Sequence, residues 1–125
     1  MLTTNEGLRL PRIFDRNGSQ FKRIMKFIEN DIDNHSKRIG ERFSAHKLYG
    51  GKNYDWCALG FPIGDFYVKL YAKYKAEGYP DPDETAQAMA GAYVGMCMKY
   101  ICAKHPSKTF KIHREFRSIV YERVA

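Results

Sequence analysis

Apolar residues fall along this chain in one continuous block, one long stripe and two shorter stripes, and each predicts a helix. The block is Asp81–His105, apolar on nearly every side, which is the pattern of a helix enclosed by its neighbours. Asp81 suits the N-cap, Pro82 the first helical position, and Asp83 and Glu84 the positive end of the dipole. Pro106 forces His105 out of helical geometry, so the predicted helix covers 82–104. At about 1.5 Å per residue it is roughly 33 Å long, close to the width of a compact chain of this size. Ala88, Gly91, Ala92 and Gly95 give it a small-residue flank, along which another helix is expected to pack closely.

The long stripe is Phe21, Ile24, Met25, Ile28, Ile32, Ile39 and Phe43, spaced for one amphipathic helix from a Ser19 cap to Ala45 or beyond. Gly40 would bend or divide it. His35 falls on the inward side between Ile32 and Ile39. A third helix begins at an Asp65 cap, buries Phe66, Leu70 and Tyr74, and closes at Gly78 before Pro80. A last helix starts at a Ser107 cap with Ile112, Phe116, Ile119, Val120 and Val124 inward. Between the first predicted helix and the one capped by Asp65, Tyr49–Gly64 is broken by Gly50, Gly51, Gly60, Pro62 and Gly64 and reads as an irregular aromatic loop. A hairpin across Gly50–Asn53 would be marginal with two short strands. Residues 1–18 read as an extended basic arm, with Arg9, Arg12 and Arg16 interleaved among Leu8, Leu10, Ile13 and Phe14. The expected fold is all-α: a single helical domain over 1–125, with four to five helices around the central buried helix 82–104 and the loop 49–64 beside it.

Composition narrows the class. At 125 residues the chain is long enough to bury a core without disulfide or metal staples. The longest uncharged run, Thr85–Met98, is too short for a membrane span, and the N-terminus lacks the basic and apolar regions of a secretory signal. Cys57, Cys97 and Cys102 are odd in number, and two lie in the most apolar helix, which points to a reducing, cytoplasmic setting. The net charge is +7 and unevenly distributed: +4 over 1–49, −1 over 50–103 and +4 over 104–125. Positive charge concentrated at both ends favours polyanionic partners.

The candidate binding residues follow from that charge. Lys37, Arg38, Arg42 and Lys47 occupy the C-terminal part of the first predicted helix, and Lys108, Lys111, Arg114 and Arg117 the outer face of the last. The helix dipole favours cations only in a final turn, so Lys108, Lys111 and Arg114 are not explained by it. In the aromatic loop, Tyr49, Tyr54, Asp55 and Trp56 are candidates for a pocket or a partner contact.

Catalytic and metal signatures are missing from the sequence. Cys97, Cys102, His105 and His113 have no CxxC or HxxxH spacing, and the glycine-rich stretches match neither dinucleotide nor P-loop patterns. No cofactor, no metal and no catalytic residue is expected. The function expected is a small non-enzymatic binding protein that docks on nucleic acid or a nucleoprotein complex through basic helix faces. The alternatives are an inhibitor, adaptor or assembly subunit that meets an acidic protein, as a phage or mobile-element accessory protein would, and a small enzyme using His35 or Asp55 under the 49–64 loop.

Overall fold

In the computed structural model, which describes residues 1–4, 7–9, 18–50, 54–115 and 118–125, three helices follow the apolar stripes, the first of them only as far as Asn34. The elements are α1 (Ser19–Asn34), β1 (Arg42–Phe43), α2 (Ala45–Tyr49), a 3-10 turn (Trp56–Leu59), α3 (Ile63–Ala76), α4 (Pro82–Ala103), β2 (Phe110–Glu115) and β3 (Ser118–Arg123). The fold is therefore mixed α and β, and the all-α expectation is wrong.

The error lies in two places. The segment expected to form a last helix is an antiparallel hairpin, pairing Phe110 with Arg123 and Glu115 with Ser118. Ile112, Ile119 and Val120 satisfy a helical spacing, yet they also belong to two strands rich in β-branched and aromatic residues. Pairing settles the choice: Ile112 faces Tyr121 and Arg114 faces Ile119 on one side of the sheet. The other error is at the end of the first helix. Instead of running to Ala45, α1 stops at Asn34, and the chain turns through Gly40 (φ 95°) into β1. β1 pairs with β3 through Arg42–Glu122 and Phe43–Tyr121, giving the sheet order β1-β3-β2. Met1–Thr3 extends the far edge, with Thr3 N donating to Phe110 O at 2.9 Å and Phe110 N to Met1 O at 2.7 Å. Of the rest of the expected basic arm, residues 5–6 and 10–17 lie outside the described residues.

α4 is the centre, as its composition requires. The Asp81 carboxylate accepts from Glu84 N at 3.0 Å, and Pro82 opens the helix. Ala86, Ala90, Tyr93, Val94, Cys97, Met98 and Cys102 are buried against α1, α2 and α3. Ile24, Ile28 and Ile32 are the buried face of α1, and Phe66, Leu70 and Tyr74 that of α3. α3 begins two residues before the expected Asp65 cap, because Gly64 lies against the 3-10 turn: a Cβ there would sit 2.9 Å from Trp56 O. Phe43 joins the sheet to the core, stacked on Tyr121 and edge-on to Phe110 at 5.6 Å each. Among the described residues no helix is long and apolar enough to cross a membrane.

Candidate functional site

The candidate cationic surface begins where α1 ends. Ser36 is buried and its hydroxyl donates to Ile32 O, which stops the helix with a local bond that competes with the next helical turn. Arg123 then draws the chain onto β3. Its guanidinium Nη1 donates to Ser36 O at 2.9 Å and to Lys37 O at 3.0 Å, and its own N–H donates to Glu41 O at 3.0 Å. Gly40 N donates to Arg123 O at 2.7 Å, and Arg38 N donates to the Glu41 carboxylate at 2.7 Å. The turn is thereby bonded on both sides, with Lys37, Arg38 and Ile39 facing solvent. Ile39, expected on the inward stripe, is 68 % exposed. His35, also expected inward, is an exposed residue at the end of α1 with Nδ1 2.8 Å from Asp31 O.

After the turn come Arg42 on the edge strand and His46 and Lys47 on α2, all exposed. Ser44 caps α2 by accepting from Lys47 N at 3.0 Å. Arg42, His46 and Lys47 line a depression of about 340 Å³ whose opposite wall is Glu115, Ser118 and Val120. The strand register sets Lys111, Glu122 and Arg42 in a row across the outer face of the sheet. Glu122 accepts from His113 Nε2 at 2.7 Å and pairs with Arg42 Nη2 at 3.1 Å. The His113 hydrogen bond, with the charge of Arg42, holds the Glu122 carboxyl below its ordinary value.

The residues expected on a last helix do not share a face. Lys111 joins the outer sheet face, whereas Arg114 is two pairs beyond Ile112 on the opposite face, and Arg117 lies outside the described residues. Lys108 is behind the turn, 3.5 Å from Asp33 and 3.3 Å from the Ser36 hydroxyl, with its side chain only 16 % exposed. It belongs to a clasp between the ends of α1 and α4. His105 Nε2 is 2.9 Å from Asp33 Oδ1, and its Nδ1 accepts from Ser107 N and Lys108 N at 3.2 and 3.1 Å, which assigns the proton to Nε2. Burial alone would raise the Asp33 carboxyl, but the His105 hydrogen bond and the Lys108 charge outweigh it and hold it below its ordinary value. The folded state thus binds this proton more weakly than the unfolded chain, and the contribution is complete above about pH 4 and lost as the pH falls. Acid unfolding followed by circular dichroism should show Asp33→Asn losing less stability than wild type between about pH 5 and pH 3. Asp33 is half exposed, so the difference should be about 1 kcal/mol or less.

The four aromatic-loop candidates also divide. Tyr49 and Trp56 are core residues, 2 % and 1 % exposed, and the Tyr49 hydroxyl donates to Asp31 Oδ2 at 2.6 Å. Burial, reinforced by that carboxylate, pushes the Tyr49 hydroxyl well up. Tyr54 and Asp55 are exposed, with the Tyr54 ring packed over Gly50. Among the described residues, none of the four lines the depression beside Arg42.

The larger hollow is elsewhere, and the sequence reading missed it. A groove of about 430 Å³ runs between α2, the Ala88–Gly95 flank of α4, and Ser118–Tyr121 of β3. The small residues signalled it, but they read as a place for close helix packing. Among the described residues no helix fills the groove: a Cβ on Gly95 would meet nothing within 4 Å, and one on Gly91 only Trp56 at 3.9 Å. Among the described residues no three His, Cys, Asp or Glu side chains are grouped to hold a metal ion. Cys97 and Cys102 are buried, and burial pushes both thiols up, that of Cys97 to about 12.

No protein-family model matches the chain, and no curated protein or solved structure matches it either.

Proposed function

We propose that this is a non-enzymatic binding protein that docks on nucleic acid, free or within a nucleoprotein complex, through the surface formed by residues 36–47. The observation that carries this reading is the exposure of Lys37, Arg38, Arg42 and Lys47 along one continuous stretch. The one carboxylate within that stretch, Glu41, is occupied by Arg38 N at the inner side of the turn. Lys111 extends the charge onto the outer face of the sheet, where Arg42 is partly offset by Glu122. Cations held on a turn, an edge strand and a short helix meet phosphates without reading bases, so the binding is expected to be strong at low salt and weakly sequence-specific. Two buried thiols that sit in one helix, beyond reach of a disulfide, accord with a cytoplasmic, reducing setting.

Fluorescence anisotropy with labelled duplexes between 50 and 200 mM salt tests the proposal. Wild type should show a log-log salt slope of several released counterions. Combined Lys37→Glu, Arg38→Glu and Lys47→Glu should reduce that slope by about 2 to 3 at unchanged thermal midpoint. Absence of binding at 50 mM salt would overturn the reading.

A further inference from the structure

We infer that Ile39 is an apolar wedge, which enters between base pairs of a duplex while Lys37, Arg38 and Arg42 hold the phosphates on either side. The inference rests on the nucleic-acid reading above and adds how the surface engages its partner.

Three observations carry it. Ile39 has the highest exposure of the large apolar side chains described, 68 %, although it lies between α1 and β1 rather than at a chain end. Its mount is rigid. The Arg123 guanidinium bonds the carbonyls of Ser36 and Lys37, Gly40 N donates to Arg123 O, and Glu41 receives Arg38 N and Arg123 N on its carboxylate and carbonyl. Glu41 N also donates to Arg38 O at 3.3 Å, closing the turn beneath Ile39. The left-handed Gly40 (φ 95°) aims the preceding residue outward at the tip. Finally, the wedge is bracketed by charge, with Lys37 and Arg38 before it and Arg42 after it, all exposed.

These features are what a wedge requires. Separating stacked base pairs costs free energy, so the inserted side chain must not yield, and a turn hydrogen-bonded on both flanks does not. Contacts to phosphates on each side of the step offset the cost and set the side chain at the groove. Pyrimidine-purine steps unstack most readily and are the expected sites of entry.

The test is resonance energy transfer across a duplex of about 20 base pairs, labelled at both ends and carrying a central TA step, with anisotropy recorded in parallel. Wild-type protein should bring the ends together by an amount that corresponds to a kink of about 20–90°. Ile39→Gln should abolish the shortening and weaken binding about tenfold. It should leave the salt slope and thermal midpoint as they are, because the side chain carries no charge and packs against little. Binding by wild type without shortening, or equal shortening by Ile39→Gln, would overturn the wedge while leaving the charge-based reading intact. Binding to single strands alone would do the same. If no nucleic acid binds at 50 mM salt, both readings fall, and an acidic protein becomes the partner for the same turn.

Discussion

Trp56→Ala should lower the stability of this protein by about 3 to 5 kcal/mol, read as a shift of the urea midpoint at constant slope. Trp56 is 1 % exposed and belongs to the core together with Phe66, Tyr93 and Ile63. Its Cζ2 would lie 3.9 Å from a Cβ on Gly91 of α4, and its carbonyl oxygen 2.9 Å from a Cβ on Gly64 at the start of α3. Truncation therefore opens a cavity where α3, α4 and the 3-10 turn meet, and those elements are too firmly packed to collapse into it. The experiment also decides the role of the aromatic loop. A large loss of stability identifies Trp56 as a packing residue, whereas a small loss with impaired partner binding would restore it as a contact residue.

The second large effect concerns two glycines that look alike in sequence. Gly64→Ala should destabilise by about 1 to 3 kcal/mol, because its Cβ would stand 2.9 Å from Trp56 O and 3.3 Å from Cys57 O. Both obstacles are backbone, and Gly64 N is itself bonded to Gly60 O at 2.5 Å, so relief requires moving the 3-10 turn off α3. Gly95→Ala should instead be neutral or stabilising by up to about 1 kcal/mol: its Cβ enters the open groove, and alanine favours the helix. Thermal melts of the two variants side by side check the contrast. Equal losses would mean that the groove beside α4 is filled in solution.

Neither result could be ranked from the sequence. Gly64 was legible as a helix breaker, and Gly91 and Gly95 as a small flank, but which of them touches something depends on what lies opposite. α4 was legible in full, from its Asp81 cap to its end before Pro106, because an apolar segment with matched end signals has few alternatives. Ile24, Ile28 and Ile32 identified the buried face of α1 for the same reason. Past Asn34 the periodicity continued through Ile39 and Phe43 while the helix did not, since Arg123, far along the chain, supplies the hydrogen bonds that pull Ser36 and Lys37 away. The hairpin was illegible because its apolar residues fit periods of both two and about four, and the stretch joining its strands, Glu115 to Ser118, has no glycine or asparagine to mark a turn.

The candidate site was legible in its residue types but not in its grouping. Lys37, Arg38, Arg42 and Lys47 were marked by charge and remain together, since they follow one another along a short stretch. Lys108, Lys111 and Arg114 were grouped on a helical face, and strand geometry separates them: consecutive strand residues point to opposite sides, and Lys108 is drawn inward to Asp33 and Ser36.

The sequence by itself determined the local matters: where α4 begins and ends, which stripes of α1 and α3 are buried, and that the chain is basic at both ends. Each depends on residues within a turn or two of one another, whose energetics need no distant partner. The tertiary structure decided the rest: the exit from α1 at Ser36, the strand form of Phe110–Arg123, the empty groove beside α4 and the exposure of Ile39. Each of those depends on hydrogen bonds or packing between segments far apart in the chain, and such contacts override a local periodicity once they satisfy backbone groups and bury aromatic rings together.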